Sequence, residues 1–530
     1  MCPRRALLVV MLAAPACAEP APLPPRPLPA PPPPPLVSAS ASAPEIAAST
    51  APPPVETASA SAPIEPPPPP PPPPQPRLVS LTHLTRIFAR PKVEDRYLGY
   101  VGFGGSLRLR ATETVPGEGC RGGFYPVEPR GFVCKNSLVS LTPSPKQAEL
   151  AAALTPANGP LPFQYAYSDG VPSYNKVPTL ADGKRLEGGY GPAGDRRTLP
   201  KNPAPYDDLA TLDPIPPTGP MPGFLAAGGG VSDEPKGLFL GDVPAGNMMA
   251  FQRAFTANDR TFLLTTEQIL VPADRVRLFR PSTYQGVRLD ATAHLPLAFV
   301  RIGERHPYRR MGDAKTMVRG SRLLAPHSRL TLTGVFVETP NTRYWETDER
   351  EPDGSPSYVS ERDAGVFEAE TALPQGIKAD QKWIAVSLGK GTLVAYEGQK
   401  PVYATLISPG AGGAGGPSVG KNLGTTPLGA FALTIKHRYA RMTHEPGAHP
   451  THYISDVPYV QYFNPPFALH AAYWHDRFGE PTSAGCINLS PIDAEALFAW
   501  SDPQVPDDWQ GALGVGAPEN GKVTVVVIRR

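Results

Sequence analysis

The sequence predicts a mainly β protein: small β modules, then a C-terminal β-sandwich or barrel carrying one helix, all behind a Pro-rich disordered linker. Three observations predict it. Short stretches such as 97–103, 329–337 and 392–396 alternate apolar and polar residues at the period of a strand, and Gly, Pro, Asn and Asp steps bound them. Convincing helical chemistry occurs once, at 491–500, where Ser490 stands as N-cap and Asp493 three residues on, a variant of the capping box. Proline reaches 73 of 530 residues, far above the usual ~5%.

In chain order, residues 1–18 read as a secretory leader: Arg4 and Arg5, an apolar run over 6–14, and the small-residue step Ala16-Cys17-Ala18. Ala14-Pro15-Ala16-Cys17 also resembles a lipoprotein box, in which Cys17 would be lipidated and become the N-terminus; that is the one membrane attachment the sequence offers. Either way the mature chain is expected outside the cytoplasm, in the periplasm or cell wall. No later run reaches the ~18 apolar residues of a membrane span. The net charge of +2 gives no basic field for nucleic acid.

Residues 19–76 are the linker. Its Pro-rich blocks cannot form a backbone ladder and stay extended, at most roughly 180 Å end to end at ~3.1 Å per residue. Residues 77–140 form a first small β module. There Cys120 and Cys134 flank a hairpin in a secreted chain, which favours a disulfide contributing ~3 kcal/mol by the chain-entropy model. The pattern resembles the bacterial Src-homology-3-like modules that accompany cell-wall enzymes. Residues 141–285 are broken by Pro-Tyr, Gly-Gly and Asp-Gly steps and read as irregular α+β, and residues 286–375 alternate again as a second β module.

From 380 to 529 the texture changes. Strands are expected at 382–388, 392–396, 401–407, 429–436 and 523–528, with a hairpin turn at 397–400. Two chemical motifs in this region lack their context. Gly410-x-Gly412-x-x-Gly415 follows a strand, but Pro417 and Ser418 come next, so no helix N-terminus faces a phosphate. His444-Glu445 begins like a zinc-protease helix, but Pro446 and Gly447 break it, and His444, His449 and His452 lack ligand spacing. No metal or cofactor is expected. The stretch 442–455, broken by its Pro and Gly, reads as a mobile lid over a cleft.

The chemistry concentrates in one place. His470 closes an apolar strand, and Cys486 follows sixteen residues later in the turn Ser483-Ala484-Gly485-Cys486, ahead of Ile487-Asn488. A lone cysteine is usually an inert small hydrophobe. Here a histidine partner is expected to lower the thiol pKa from ~8.5 to 3–4, with the backbone N–H groups of Gly485 and Cys486 holding an oxyanion. The order His…Cys separates the pair from papain-like enzymes.

His470, then Ser483-x-Gly485-Cys486, Ile487 and Asn488 resemble the signature of the L,D-transpeptidase catalytic domain family (YkuD-type). Thr426-Pro427-Leu428-Gly429-Ala430-Phe431 resembles its Thr-Pro-x-Gly-x-Phe strand. One departure stands out: Ala484 replaces the usual histidine. The resemblance implies a peptidoglycan enzyme of cell-wall biogenesis and cell shape. Cys486 would attack the third-residue carbonyl of a tetrapeptide stem and release D-alanine. His470 would be base and then acid, with its ring oriented by the Ala471 carbonyl, while Ser483 and Asn488 line the site. The acyl group would pass to the amine of a second stem or of a wall-anchored protein; with water as acceptor the enzyme would be an L,D-carboxypeptidase. Carbapenems are the inhibitors the resemblance implies. The alternative from another class is a non-catalytic peptidoglycan-binding scaffold.

Overall fold

The computed structural model describes residues 76–187, 208–232, 237–312, 315–411, 425–443 and 453–530. The expected leader, nearly all of the linker, Gly412–Gly415, the three candidate zinc histidines and most of the 442–455 stretch lie outside the described residues. The chain is mainly β, as its alternating segments predict.

The C-terminal region is built on two sheets. The first runs Val287–Arg288, Lys400–Leu406, Thr392–Glu397, Lys382–Ser387, Val525–Arg529, Gly429–Ala432. Its centre is an antiparallel meander, and Val525–Arg529 adds parallel to Lys382–Ser387. Gly398 makes the hairpin turn at φ +59°, where a Cβ would lie 2.2 Å from the Ala379 carbonyl oxygen. The second sheet carries Ile435–Thr443, Tyr453–Asn464, Phe467–Ala471 and Ile487–Leu489. Ile384, Val386, Leu393, Leu469, Ile487, Leu489, Leu497, Val526 and Ile528 fill the space between the sheets and the helix Pro491–Trp500.

That helix begins as its sequence predicts, with Ser490 Oγ accepting the Asp493 N–H. The Asp493 carboxylate, fully buried, accepts from Gly286 N (2.8 Å), Tyr403 Oη (2.7 Å) and Thr405 Oγ1 (2.6 Å), and so ties the helix to the first sheet. The strand expected over 429–436 is two strands in different sheets, divided at Leu433-Thr434.

The upstream modules are stitched into these sheets. Gly99–Val101 of the first module pairs with Gly511–Leu513, and Tyr100 Oη meets His437 Nδ1 at 2.7 Å. Cys120 and Cys134 are bonded, with Cα atoms 5.8 Å apart, and Cys486 is the free cysteine among the described residues. The region expected to be irregular holds the helix Pro145–Ala153, closed by a Ser144/Gln147 capping box, and a set of antiparallel strands. Its longest strand, Met248–Ala257, pairs at Met248 with Ile454. Residues 287–288 pair with Lys400–Leu406, and the rest of the second β module forms its own antiparallel sheet from Leu297–Val300 to Ala364–Phe367.

Candidate active site

Phe467–Ala471 lies antiparallel to Tyr453–Asn464 and parallel to Ile487–Leu489, with His470 in register with Asn488. Registered residues on neighbouring strands share a face, and a strand returns to that face every second residue. His470, Asn488 and, two residues before it, Cys486 therefore stand on one side of the sheet. The apolar residues around the histidine explain its rigidity: Ala468, Leu469, Ala471 and Ile487 are all completely buried.

His470 itself is buried, with Nδ1 3.0 Å from the Ala471 carbonyl oxygen. A carbonyl only accepts, so Nδ1 carries the proton and Nε2 presents a lone pair. Burial pushes the imidazole down to about 4, against a small upward pull from the Ala471 carbonyl. The Cys486 thiol is pushed the other way, up to about 11, again by burial, with Sγ 3.9 Å from the Pro466 carbonyl oxygen. The expectation of a thiol lowered to 3–4 is thus corrected. Both shifts disfavour separated charge, so the resting pair is neutral thiol and neutral imidazole.

The cysteine turn is held from several sides. Gly485 adopts φ +123°, a conformation that excludes a side chain. Ser483 Oγ accepts the Gly485 N–H (3.1 Å) and donates to the Cys486 carbonyl (2.5 Å). The Gly485 N–H is therefore engaged within its own turn. Thr426 Oγ1 donates to the Gly485 carbonyl (2.9 Å) and accepts the Gly410 N–H (3.0 Å). Ser408 and Asn488 exchange both backbone hydrogen bonds at 2.9 Å. Ala484, by contrast, points to solvent.

The segment between His470 and Cys486 is clamped by upstream residues. Ser282 Oγ donates to Asp476 (2.5 Å), Asp208 pairs with Arg477 (2.7 Å), and Arg301 donates to the Gly479 carbonyl. Within it lies His475, fully buried, to which the sequence assigned no role. Its Nδ1 accepts the Arg477 backbone N–H (3.2 Å), and its Nε2 lies 3.0 Å from the Asn488 amide and 3.4 Å from Thr482 Oγ1. Burial is the main cause of its depressed pKa, about 3, with Arg477 adding to it. Thr426 was legible as part of a motif, but its grip on Gly485 was not. Among the described residues no group of three or more His, Cys, Asp and Glu is placed to hold a metal ion.

Residues 381–528 match the family model of the L,D-transpeptidase catalytic domain, YkuD. No curated protein matches the chain. Similar solved structures include an L,D-transpeptidase from Xylanimonas cellulosilytica, with 21% identity over 30% of this chain and 64% of that one, TM-score 0.20. Another is an L,D-transpeptidase from Mycobacterium smegmatis, with 15% identity over 46% of this chain and 100% of that one, TM-score 0.21. A third is the catalytic domain of an E. faecium L,D-transpeptidase acylated by ertapenem, with 21% identity over 26% of this chain and 98% of that one, TM-score 0.20.

Proposed function

We propose, starting from the match of residues 381–528 to the L,D-transpeptidase catalytic domain, that this chain is a cysteine-dependent L,D-transpeptidase of the bacterial cell wall. The observation that carries the reading is the fixed tautomer of His470: the Ala471 carbonyl holds the proton on Nδ1 and leaves Nε2 as a base, on the face that bears Cys486.

Because the resting pair is neutral, the proton moves as the bond forms. Cys486 Sγ attacks the carbonyl carbon of the third residue of a tetrapeptide stem while His470 Nε2 takes the thiol proton. The resulting imidazolium protonates the departing amine, the C–N bond breaks, and D-alanine leaves behind a thioester. The amine of a second stem then attacks the thioester and gives its proton to His470, which returns it to the thiol. With Gly485 N–H bonded to Ser483, the Cys486 N–H is the donor we assign to the oxyanion. The same acyl step with a carbapenem would leave Cys486 covalently modified, as ertapenem acylates the E. faecium domain. A secreted location, with the linker spanning toward the wall, fits the leader read from the sequence and the Cys120–Cys134 bond.

The test is incubation of the purified protein with tetrapeptide stems and mass spectrometry of the products. Loss of terminal D-alanine and cross-linked dimers, both absent in Cys486→Ala, are expected; intact stems would refute the reading. Release of D-alanine without dimers would identify water as the acceptor.

A further inference from the structure

Of the three polar contacts of His475, the one on Nδ1 fixes its tautomer; Nε2 has Asn488 at 3.0 Å and, farther off, Thr482 Oγ1 at 3.4 Å. Its Nδ1 faces a backbone N–H, that of Arg477, and can only accept there. A neutral imidazole has one acceptor and one donor, so Nε2 carries the hydrogen. Asn488 Nδ2 stands 3.0 Å from that nitrogen, and two donors cannot meet there, so the amide is assigned the other way round, with its oxygen toward Nε2 and its NH2 group at the other end. That other end is buried without a hydrogen-bond partner, and Asn488 is only 2% exposed. One end of the amide is thus anchored and the other is not. Asn488 sits in register beside His470, and Ser408 holds its backbone from the opposite side.

We infer that His475 is a positioning residue for the thiol–imidazole pair: it fixes which way the Asn488 amide is turned beside His470. Without that bond the amide is free to rotate, and the dipole next to the reacting imidazole is no longer set. His475 performs this role at constant charge, because burial keeps it neutral down to a pH of about 3. Upstream residues take part indirectly, since Ser282 on Asp476 and Asp208 on Arg477 hold the segment that carries the ring. The inference rests on the transpeptidase reading for its consequence in catalysis and on geometry alone for the coupling of the two residues.

Two substitutions separate the ends of the ring. His475→Asn keeps an acceptor for the Arg477 N–H but is too short to reach Asn488. His475→Gln places a donor near the position of Nε2. Each is made alone and in an Asn488→Ala background. Cys486 is followed by two reactions over a range of pH: acylation by a carbapenem and alkylation by iodoacetamide. We expect His475→Asn to slow carbapenem acylation about tenfold, the order set by orphaning one buried hydrogen-bonding group, and to shift the pH profile of both reactions. His475→Gln should stay within about threefold of wild type by the same measure. In the Asn488→Ala background, His475→Asn should add less than about twofold, because the two residues act as one unit. Equal slowing by Asn and Gln, or an effect of His475→Asn that is undiminished in that background, would overturn the inference. If the wild-type protein forms no carbapenem adduct, the transpeptidase reading fails, and the iodoacetamide cycle still decides the coupling of His475 to Asn488.

Discussion

Thr426→Val replaces a hydroxyl by a methyl of nearly the same volume, so it tests hydrogen bonding without opening a cavity. Thr426 is 1% exposed, and its hydroxyl serves two partners, accepting from Gly410 N (3.0 Å) and donating to the Gly485 carbonyl (2.9 Å). The substitution orphans both. Each buried group left without a partner costs ~1–3 kcal/mol, so unfolding stability should fall by about 2–6 kcal/mol, a large part of the 5–15 kcal/mol typical of a domain. The site should suffer too, because the Gly485 carbonyl belongs to the turn that presents Cys486, and a shift of ~1 Å in a reacting group can cost on the order of a hundredfold in rate. Urea unfolding gives the stability and carbapenem acylation gives the rate. Thr426→Ser, which keeps the hydroxyl, should lose only about 1 kcal/mol for its missing methyl. A valine variant within about 0.5 kcal/mol of wild type that acylates at the wild-type rate would refute the reasoning, since that is the scatter of surface substitutions.

Three further outcomes are expected. His437 is held neutral, with burial taking it down to about 4. The unfolded chain binds its proton below the ordinary 6.5, so the contribution is complete above that value and is lost as pH falls toward 4. Between pH 7 and pH 5 the wild type should lose ~2 kcal/mol more than His437→Gln in urea unfolding, and parallel curves would contradict the assignment. The sequence leaves two outcomes for Ala484→His: raised activity if the missing histidine limits the enzyme, or a clash if the pocket has repacked around alanine. Position 484 is exposed, so the substitution should change stability by less than about 0.5 kcal/mol; a larger loss in thermal unfolding would show that the turn has no room for the ring. Thiol labelling of the native protein between residues 77 and 530 should modify Cys486 alone, and labelling at Cys120 or Cys134 would refute the bond between them.

The candidate site could be proposed from sequence because its parts are local. His470 ends a strand and Cys486 follows a turn whose glycine needs a positive φ, so residue type and spacing were enough to place both. What sequence could not give was burial, a tertiary property. The same enclosure that fixes His470 also drives its pKa down and that of Cys486 up, which reverses the expected ion pair. Ser483 reads as a lining residue; that its hydroxyl also braces its own turn, on the Gly485 N–H and the Cys486 carbonyl, is a tertiary detail that spacing does not show. The Met248–Ala257 strand offers a strand- or helix-length apolar piece at 251–255 whose type stays open in the sequence, because most of its residues are buried on both faces and show no alternation. The upstream modules read as separate because their links to the C-terminal sheets, by backbone between Gly99–Val101 and Gly511–Leu513 and by side chain between Tyr100 and His437, join residues far apart in the chain and leave no local pattern.

The central claim is that Cys486, with His470 as its base, forms an acyl-enzyme. Intact-protein mass spectrometry after incubation with a carbapenem tests it most directly, with peptide mapping to locate the adduct. One adduct on Cys486 is predicted for wild type, forming much more slowly in His470→Ala and not at all in Cys486→Ala. An unmodified wild-type protein, or the same adduct in Cys486→Ala, would contradict the account.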